Sequence, residues 1–122
     1  MGKSIPHPEL EGVTIDDALK ALADPVRREI VRLASTQDEL PCNAFTSKIP
    51  KSTMSYHWRV LRESGLIRQT SAGTQRLNTL RREEFAARFP GLLEAVLASI
   101  ERDTGPIESG HARVNGVRAG AA

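Results

Sequence analysis

The sequence predicts a mainly α-helical domain with one small β-hairpin, about five helices and two short strands in all. Three observations carry this. Apolar residues recur at helical spacing in several segments, each opened by a capping residue. One Gly-containing turn separates two short strand-like runs. Charge is strongly polarised: residues 48–82 hold eight Lys/Arg and one acid (Glu63), a formal +7, while the rest holds nine Lys/Arg and fourteen Asp/Glu, a formal −5. A basic stripe on one compact segment is the electrostatic footprint of a phosphate backbone.

Residues 1–12, with Pro6 and Pro8, read as a flexible arm. Thr14 opens the first helix as N-cap, with Asp17 in the place of the usual capping-box Glu. Ile15, Ala18, Leu19 and Leu22 follow at helical spacing. Asp24-Pro25 ends that helix and starts the next, Asp as N-cap and Pro at the first helical position. Val26, Ile30, Leu33 and Ala34 form its apolar face, with Arg27, Arg28 and Arg32 mostly on the other side. Leu40 to Ser47 reads as a short third helix burying Leu40, Ala44 and Phe45. Ser52 is expected to cap a fourth helix that runs to about Ser64 and stops at Gly65.

In the fourth helix Met54, Trp58 and Leu61 fall at i, i+4, i+7 and make a buried stripe. Thr53, Ser55, Tyr56, Arg59 and Arg62 are left facing outward. Two helices joined by a tight turn, the second beginning Ser-Thr-x-Ser, form a helix-turn-helix pattern. Leu66–Thr70 and Gln75–Leu80 read as strands around the turn Ser71-Ala72-Gly73-Thr74, so a hairpin wing follows directly. Arg81 to Arg88 makes a further helical turn or two, and Phe89-Pro90 opens a strongly apolar last helix. The domain thus spans residues 13–102, and residues 103–122, rich in Gly, Ala and Arg without periodicity, read as a disordered tail.

The bulk properties restrict the function. At 122 residues the chain is one domain with a small core, of the size that dimerisation often completes. One Cys excludes an intramolecular disulfide and favours a reducing compartment. No apolar run approaches the ~20 residues that span a bilayer. A cytoplasmic, nucleoid-associated protein is expected, with no membrane partner and no cofactor. No catalytic constellation, Gly-rich phosphate loop or plausible carboxylate pair suggests an enzyme.

Two segments resemble the ArsR-type winged-helix repressors of bacteria. Ala21-Leu22-Ala23-Asp24-Pro25-Val26-Arg27-Arg28-Glu29-Ile30-Val31-Arg32-Leu33 is similar to the family's opening signature. Ser52 through Ile67 is similar to its recognition helix and first wing strand, and the resemblance extends over roughly residues 13–102. It implies a homodimer, formed by the first and last helices, that blocks transcription and lets go when a signal binds. Two departures stand out. Glu39-Leu40 is followed by Pro41-Cys42-Asn43 where metal-sensing branches carry Cys-x-Cys, and no His lies between His57 and His111, where the other metal site would need it. A lone thiolate cannot build a soft-metal site, so no metal is expected and the inducer is left open.

The candidate DNA contacts are Lys51, Ser52, Thr53, Ser55, Tyr56, His57, Arg59 and Arg62 on the fourth helix, with Arg68 and Arg76 on the wing. Arg59 is the best placed to read guanine or clamp a phosphate. The competing reading is a solvated helix face, against which the basic wing and the scarcity of acids argue. His57 beside the buried stripe is either a half-buried His satisfied by a backbone group or a phosphate contact, and both readings stay open. Trp58 and Met54 are core, and so few aromatics argue against single-strand binding.

Ile15, Leu19, Leu92, Leu93, Val96, Leu97 and Ile100 are the dimerisation candidates, an apolar stripe larger than one small domain can cover. Cys42, near the start of the expected third helix, is a candidate redox residue, though a single Cys is more often a small buried hydrophobe. The leading reading is a homodimeric repressor bound to an inverted repeat in double-stranded DNA. The alternative is a winged-helix protein-interaction module, since fold does not fix function.

Overall fold

The computed structural model describes residues 3–44 and 49–103. The first helix, α1 (Ile15–Ala21), is held by the expected capping box: the Asp17 amide donates to Thr14 Oγ1 at 3.1 Å and the Thr14 amide to Asp17 Oδ2 at 2.9 Å. In α2 (Pro25–Ala34), Asp24 Oδ1 accepts from the amides of Val26 at 2.8 Å and Arg27 at 3.3 Å. Val26, Ile30, Val31 and Ala34 are buried, while Leu33 is only partly so. Arg27 is not on the outer face, as expected, but buried at 6% exposure. Its position explains this: residues 27, 30, 31 and 34 share one face at helical period.

The expected third helix over Leu40–Ser47 is replaced by a short strand β2 (Leu40–Pro41) and a 3₁₀ turn, Cys42–Ala44. A residue before proline is pushed toward extended backbone, so Leu40 does not start a helix. Leu40 is buried as expected; Phe45 to Lys48 lie outside the described residues. The expected fourth helix, α3 (Lys51–Glu63), starts two residues earlier than a Ser52 cap would place it, with the Pro50 carbonyl accepting from the Met54 amide at 3.0 Å. Ser52 is therefore inside the first turn and not the cap, which is Pro50 without a side-chain bond. Met54, Trp58 and Leu61 are buried, and His57 joins them.

α3 ends in a Schellman motif. Gly65 at φ +81° lets its amide donate to the Arg62 carbonyl at 3.2 Å and the Leu66 amide to the Leu61 carbonyl at 3.1 Å. The wing follows as β3 (Ile67–Ala72) and β4 (Gln75–Leu80), antiparallel, with Ala72 opposite Gln75. The turn is the pair Gly73-Thr74, shorter than the four residues expected, with Gly73 at φ +66°. α4 (Arg82–Arg88) and α5 (Leu92–Asp103) complete the domain; α5 begins past Gly91 and not at Phe89-Pro90.

The residues read as a flexible arm are docked from Lys3 on. A strand β1 (Lys3–Ser4) pairs antiparallel with β3, placing Lys3 opposite Ser71, and the sheet order becomes β1-β3-β4-β2. The Gln69 amide donates to His7 Nε2 at 2.8 Å. Arg81 donates to the Pro8 carbonyl at 3.1 Å, and Arg88 to the carbonyls of Leu10 and Val13. Of residues 103–122, read as a disordered tail, Asp103 closes α5 and 104–122 lie outside the described residues.

The core gathers α1, α2, α3, the hairpin base, Phe85, Phe89 and Leu93. Of the apolar stripe assigned to dimerisation, Leu93 is 1% exposed and Ile100 is also buried within the protomer. Leu93 packs the core of the protomer. Ile15 and Leu19 are 48% and 49% exposed, and Leu92, Val96 and Leu97 are partly buried.

Candidate nucleic-acid interface

The stripe of Met54, Trp58 and Leu61 fixes α3 against the core by burying its apolar face, so the opposite residues are presented outward. Lys51, Ser52, Thr53, Ser55, Tyr56 and Arg59 are all exposed. The Arg59 guanidinium carbon lies 5.5 Å from the Tyr56 ring centroid, an arrangement that restrains both side chains over the helix surface.

A cleft of about 790 Å³ separates α3 from the hairpin. Lys51, Ser55, Arg62, Gln69 and Arg76 line it above a floor that includes Trp58. Arg62 is half-buried and donates to Gln69 Oε1 at 2.9 Å, so it ties the helix to the wing. Arg76 is exposed at the far end of the hairpin. No acidic side chain lines the cleft among the described residues.

Two candidate DNA contacts are placed elsewhere. Arg68 pairs with Glu84 at 3.2 Å, on the side of the hairpin that meets α4. Hydrogen bonds from Arg81 first, and then from Arg68, hold the Glu84 carboxyl below its usual range. His57 is 6% exposed, and a side chain stands where a backbone partner was expected: Arg27 Nη1 donates to His57 Nδ1 at 3.0 Å. Burial lowers the His57 pKa from the ordinary imidazole value; the Arg27 charge acts in the same direction and Asp24 against it.

Cys42 is half-buried beside β4. Its sulfur receives the Asn78 side-chain amide at 3.3 Å and that of Gln69 at 3.7 Å. Because it begins a three-residue 3₁₀ turn, the helix start that would have activated it is missing. Among the described residues no group of three or more His, Cys, Asp and Glu could hold a metal ion. None of their helices is long and apolar enough to cross a membrane.

A helix with an exposed polar and basic face, α3, followed directly by the β3–β4 hairpin that carries Arg76, is the arrangement of a winged-helix DNA-binding protein. Residues 22–70 match the family of helix-turn-helix domains. The HTH-type transcriptional regulator YceK of Bacillus subtilis (strain 168) is 38% identical over 80 residues, which cover 63% of this chain and 80% of that protein. The crystal structure of an ArsR family transcriptional regulator superposes with a TM-score of 0.56 at 27% identity, covering 72% of this chain and 92% of that one. The chain belongs to the ArsR-type winged helix-turn-helix transcriptional regulators. It is a regulator of transcription and not an enzyme.

Proposed function

We propose that the protein is a homodimeric repressor that binds an inverted repeat in double-stranded DNA, working in the cytoplasm on the bacterial nucleoid. The carrying observation is the exposed row Lys51, Ser52, Thr53, Ser55, Tyr56 and Arg59 on α3, next to a cleft with three cationic walls, Lys51, Arg62 and Arg76. α3 enters the major groove with Arg59 reading a base edge or clamping a phosphate. Lys51, at the helix start, and Ser52, Thr53 and Ser55 hold the backbone. Arg76 at the hairpin follows the neighbouring minor groove or its phosphates.

Dimerisation supplies the second half-site. Ile15 and Leu19 on α1 present two large apolar side chains to solvent, and Leu92, Val96 and Leu97 on α5 are incompletely covered. Burying them against a second copy sets the two reading helices about one helical turn apart, roughly 34–36 Å.

Selection of bound fragments from genomic DNA, followed by titration of the enriched duplex, tests this reading. An inverted repeat is expected, with affinity falling steeply from low to physiological salt as counterions are released. Arg59→Ala is expected to cost about 1–3 kcal/mol of binding. Absent or salt-insensitive duplex binding rejects the reading.

A further inference from the structure

We propose that Arg27 is a positioning residue for DNA recognition: its buried guanidinium joins the end of α1 to His57 and so fixes the reading helix α3 on the dimer-forming part of the domain. The inference rests on the DNA reading above and adds a residue that does not itself touch DNA.

The geometry is specific. Arg27 Nε donates to the Ala21 carbonyl at 2.8 Å and Nη2 to the Lys20 carbonyl at 3.0 Å. These are the last two carbonyls of α1, at the end where the helix runs out of its own donors; the Lys20 carbonyl also accepts from the Ala23 amide at 3.2 Å. Nη1 reaches His57 Nδ1 at 3.0 Å. None of these three partners is a carboxylate, so the contact directs geometry more than it neutralises charge. The Arg27 guanidinium carbon also lies 6.0 Å from the Tyr56 ring centroid, and Tyr56 in turn carries Arg59. One buried side chain therefore connects α1, whose Ile15 and Leu19 are the exposed apolar pair, to the outward face of α3.

The chemistry imposes a protonation state. A guanidinium has only donors, so His57 Nδ1 must accept and the ring proton must sit on Nε2. A second proton would place an N–H against an N–H and two positive charges side by side, and the link would open. The charged groups acting on His57 are Asp24 at the start of α2 and Arg27 within it. From β3, packed on the same helix, Gln69 meets Arg62, and Arg68 is engaged with Glu84. DNA affinity should therefore decline as His57 charges, once the pH falls below the ordinary imidazole value of 6.5.

The selected duplex is titrated at constant ionic strength from about pH 5 to 8 with the full-length native protein, His57→Asn and Arg27→Gln. Asn Oδ1 stands where Nδ1 stands and accepts the same bond without titrating. Expected are an acid loss of about tenfold in the native protein and a flatter profile for His57→Asn at native-like affinity near neutrality. Arg27→Gln should bind about tenfold more weakly at neutral pH with its helical content and sedimentation unchanged. His7 and His111 are common to native and His57→Asn, so the difference between the two profiles reports His57. In parallel, ¹⁵N shifts of the ring in the free protein are expected to show Nδ1 unprotonated and Nε2–H. Identical pH profiles for native and His57→Asn, native affinity in Arg27→Gln, or the Nδ1–H tautomer would each overturn the proposal. Native protein that binds no duplex at any pH fails the DNA reading itself and the proposal with it; the other failures leave that reading standing.

Discussion

Arg68 and Arg76 stand on opposite faces of the same hairpin. In the β3–β4 register Arg68 is opposite Thr79 and Arg76 opposite Ser71. Ser71 is three residues from Arg68, and neighbouring positions in a strand alternate between faces. Arg76 shares the face of Gln69 and borders the cleft beside α3, while Arg68 is turned to Glu84. Sequence alone made them one basic wing; the pleat divides them.

A difference in binding is expected from that division. Arg76→Ala should weaken duplex binding across sequences and reduce the slope of log affinity against log salt by about 1. Arg68→Ala should leave that slope unchanged and lose only an exposed ion pair, worth about 0–1 kcal/mol of stability. Salt titrations of both variants decide the matter, and equal slopes would contradict the assignment.

Gly65 is the point where α3 turns into the wing. Its φ of +81° is costly for any side chain, and an added Cβ would lie 2.7 Å from Leu10 Cδ1. Gly73 also has a positive φ, +66°, but a Cβ added there would meet nothing within 4 Å. Gly73→Ala should thus cost only the backbone penalty of about 1 kcal/mol, and Gly65→Ala more than that, as the Leu10 side chain must move. In thermal melts about 1 kcal/mol corresponds to about 4–8 °C for a domain of this size. A smaller loss for Gly65→Ala than for Gly73→Ala would be the contrary result.

These features differ in how far the sequence alone reveals them. Thr14 with Asp17 and Asp24-Pro25 are legible because cap and capped amide lie two or three residues apart. The Met54, Trp58, Leu61 stripe is legible because helical period is local. Long-range pairings are not. The Asn78 side chain bonds the Leu40 carbonyl across 38 positions, and the His7–Gln69 bond spans 62. Only Pro41 signalled an extended Leu40. Arg27 shows the same limit: its charge suggested solvent, whereas its period pointed inward and its partners come from α1 and α3.

The proposed dimer face separates two leucines that the sequence placed together. Leu19 is half exposed on α1, whereas Leu93 is buried in the protomer core. Leu19→Glu should give a folded monomer with native helical content. Leu93→Glu should unfold the protein, since an unpaired charge buried in a core costs several kcal/mol. Sedimentation at micromolar concentration with circular dichroism separates the outcomes; a Leu19→Glu dimer would remove α1 from the interface.

The docked N-terminal segment should detach in acid. His7 Nε2 must be unprotonated to accept the Gln69 amide. Burial lowers its pKa below 6.5, and the charges of Arg68, Arg81 and Arg62 lower it further. With the folded value below the unfolded one, the contribution is complete above pH 6.5 and fades as pH falls through the folded value. Exchange of the Gln69 amide should therefore accelerate, beyond its intrinsic pH trend, as the medium is made acidic below that range. In His7→Phe, which cannot accept at any pH, that extra acceleration should be absent; its persistence would place the pH sensitivity elsewhere.

Cys42 should behave as a packed polar contact and not as a switch. Its sulfur accepts from the neutral side-chain amides of Asn78 and Gln69, and the 3₁₀ turn it opens offers no helix terminus to activate it. Cys42 is the chain's single thiol, so no second cysteine of the protomer can resolve an oxidised sulfur. Cys42→Ser replaces the sulfur by a shorter, more polar hydroxyl at a half-buried position and should cost at most about 1 kcal/mol of stability, with DNA affinity nearly unchanged. For the same reason zinc and arsenite, which need several soft or imidazole ligands, should not release the operator at stoichiometric concentration. Peroxide should leave native DNA binding intact over the time in which exposed thiols oxidise. Peroxide-sensitive release that Cys42→Ser abolishes would show instead that the Asn78–Cys42 contact, which joins the sulfur to the wing strand β4, transmits oxidation to the DNA-binding surface.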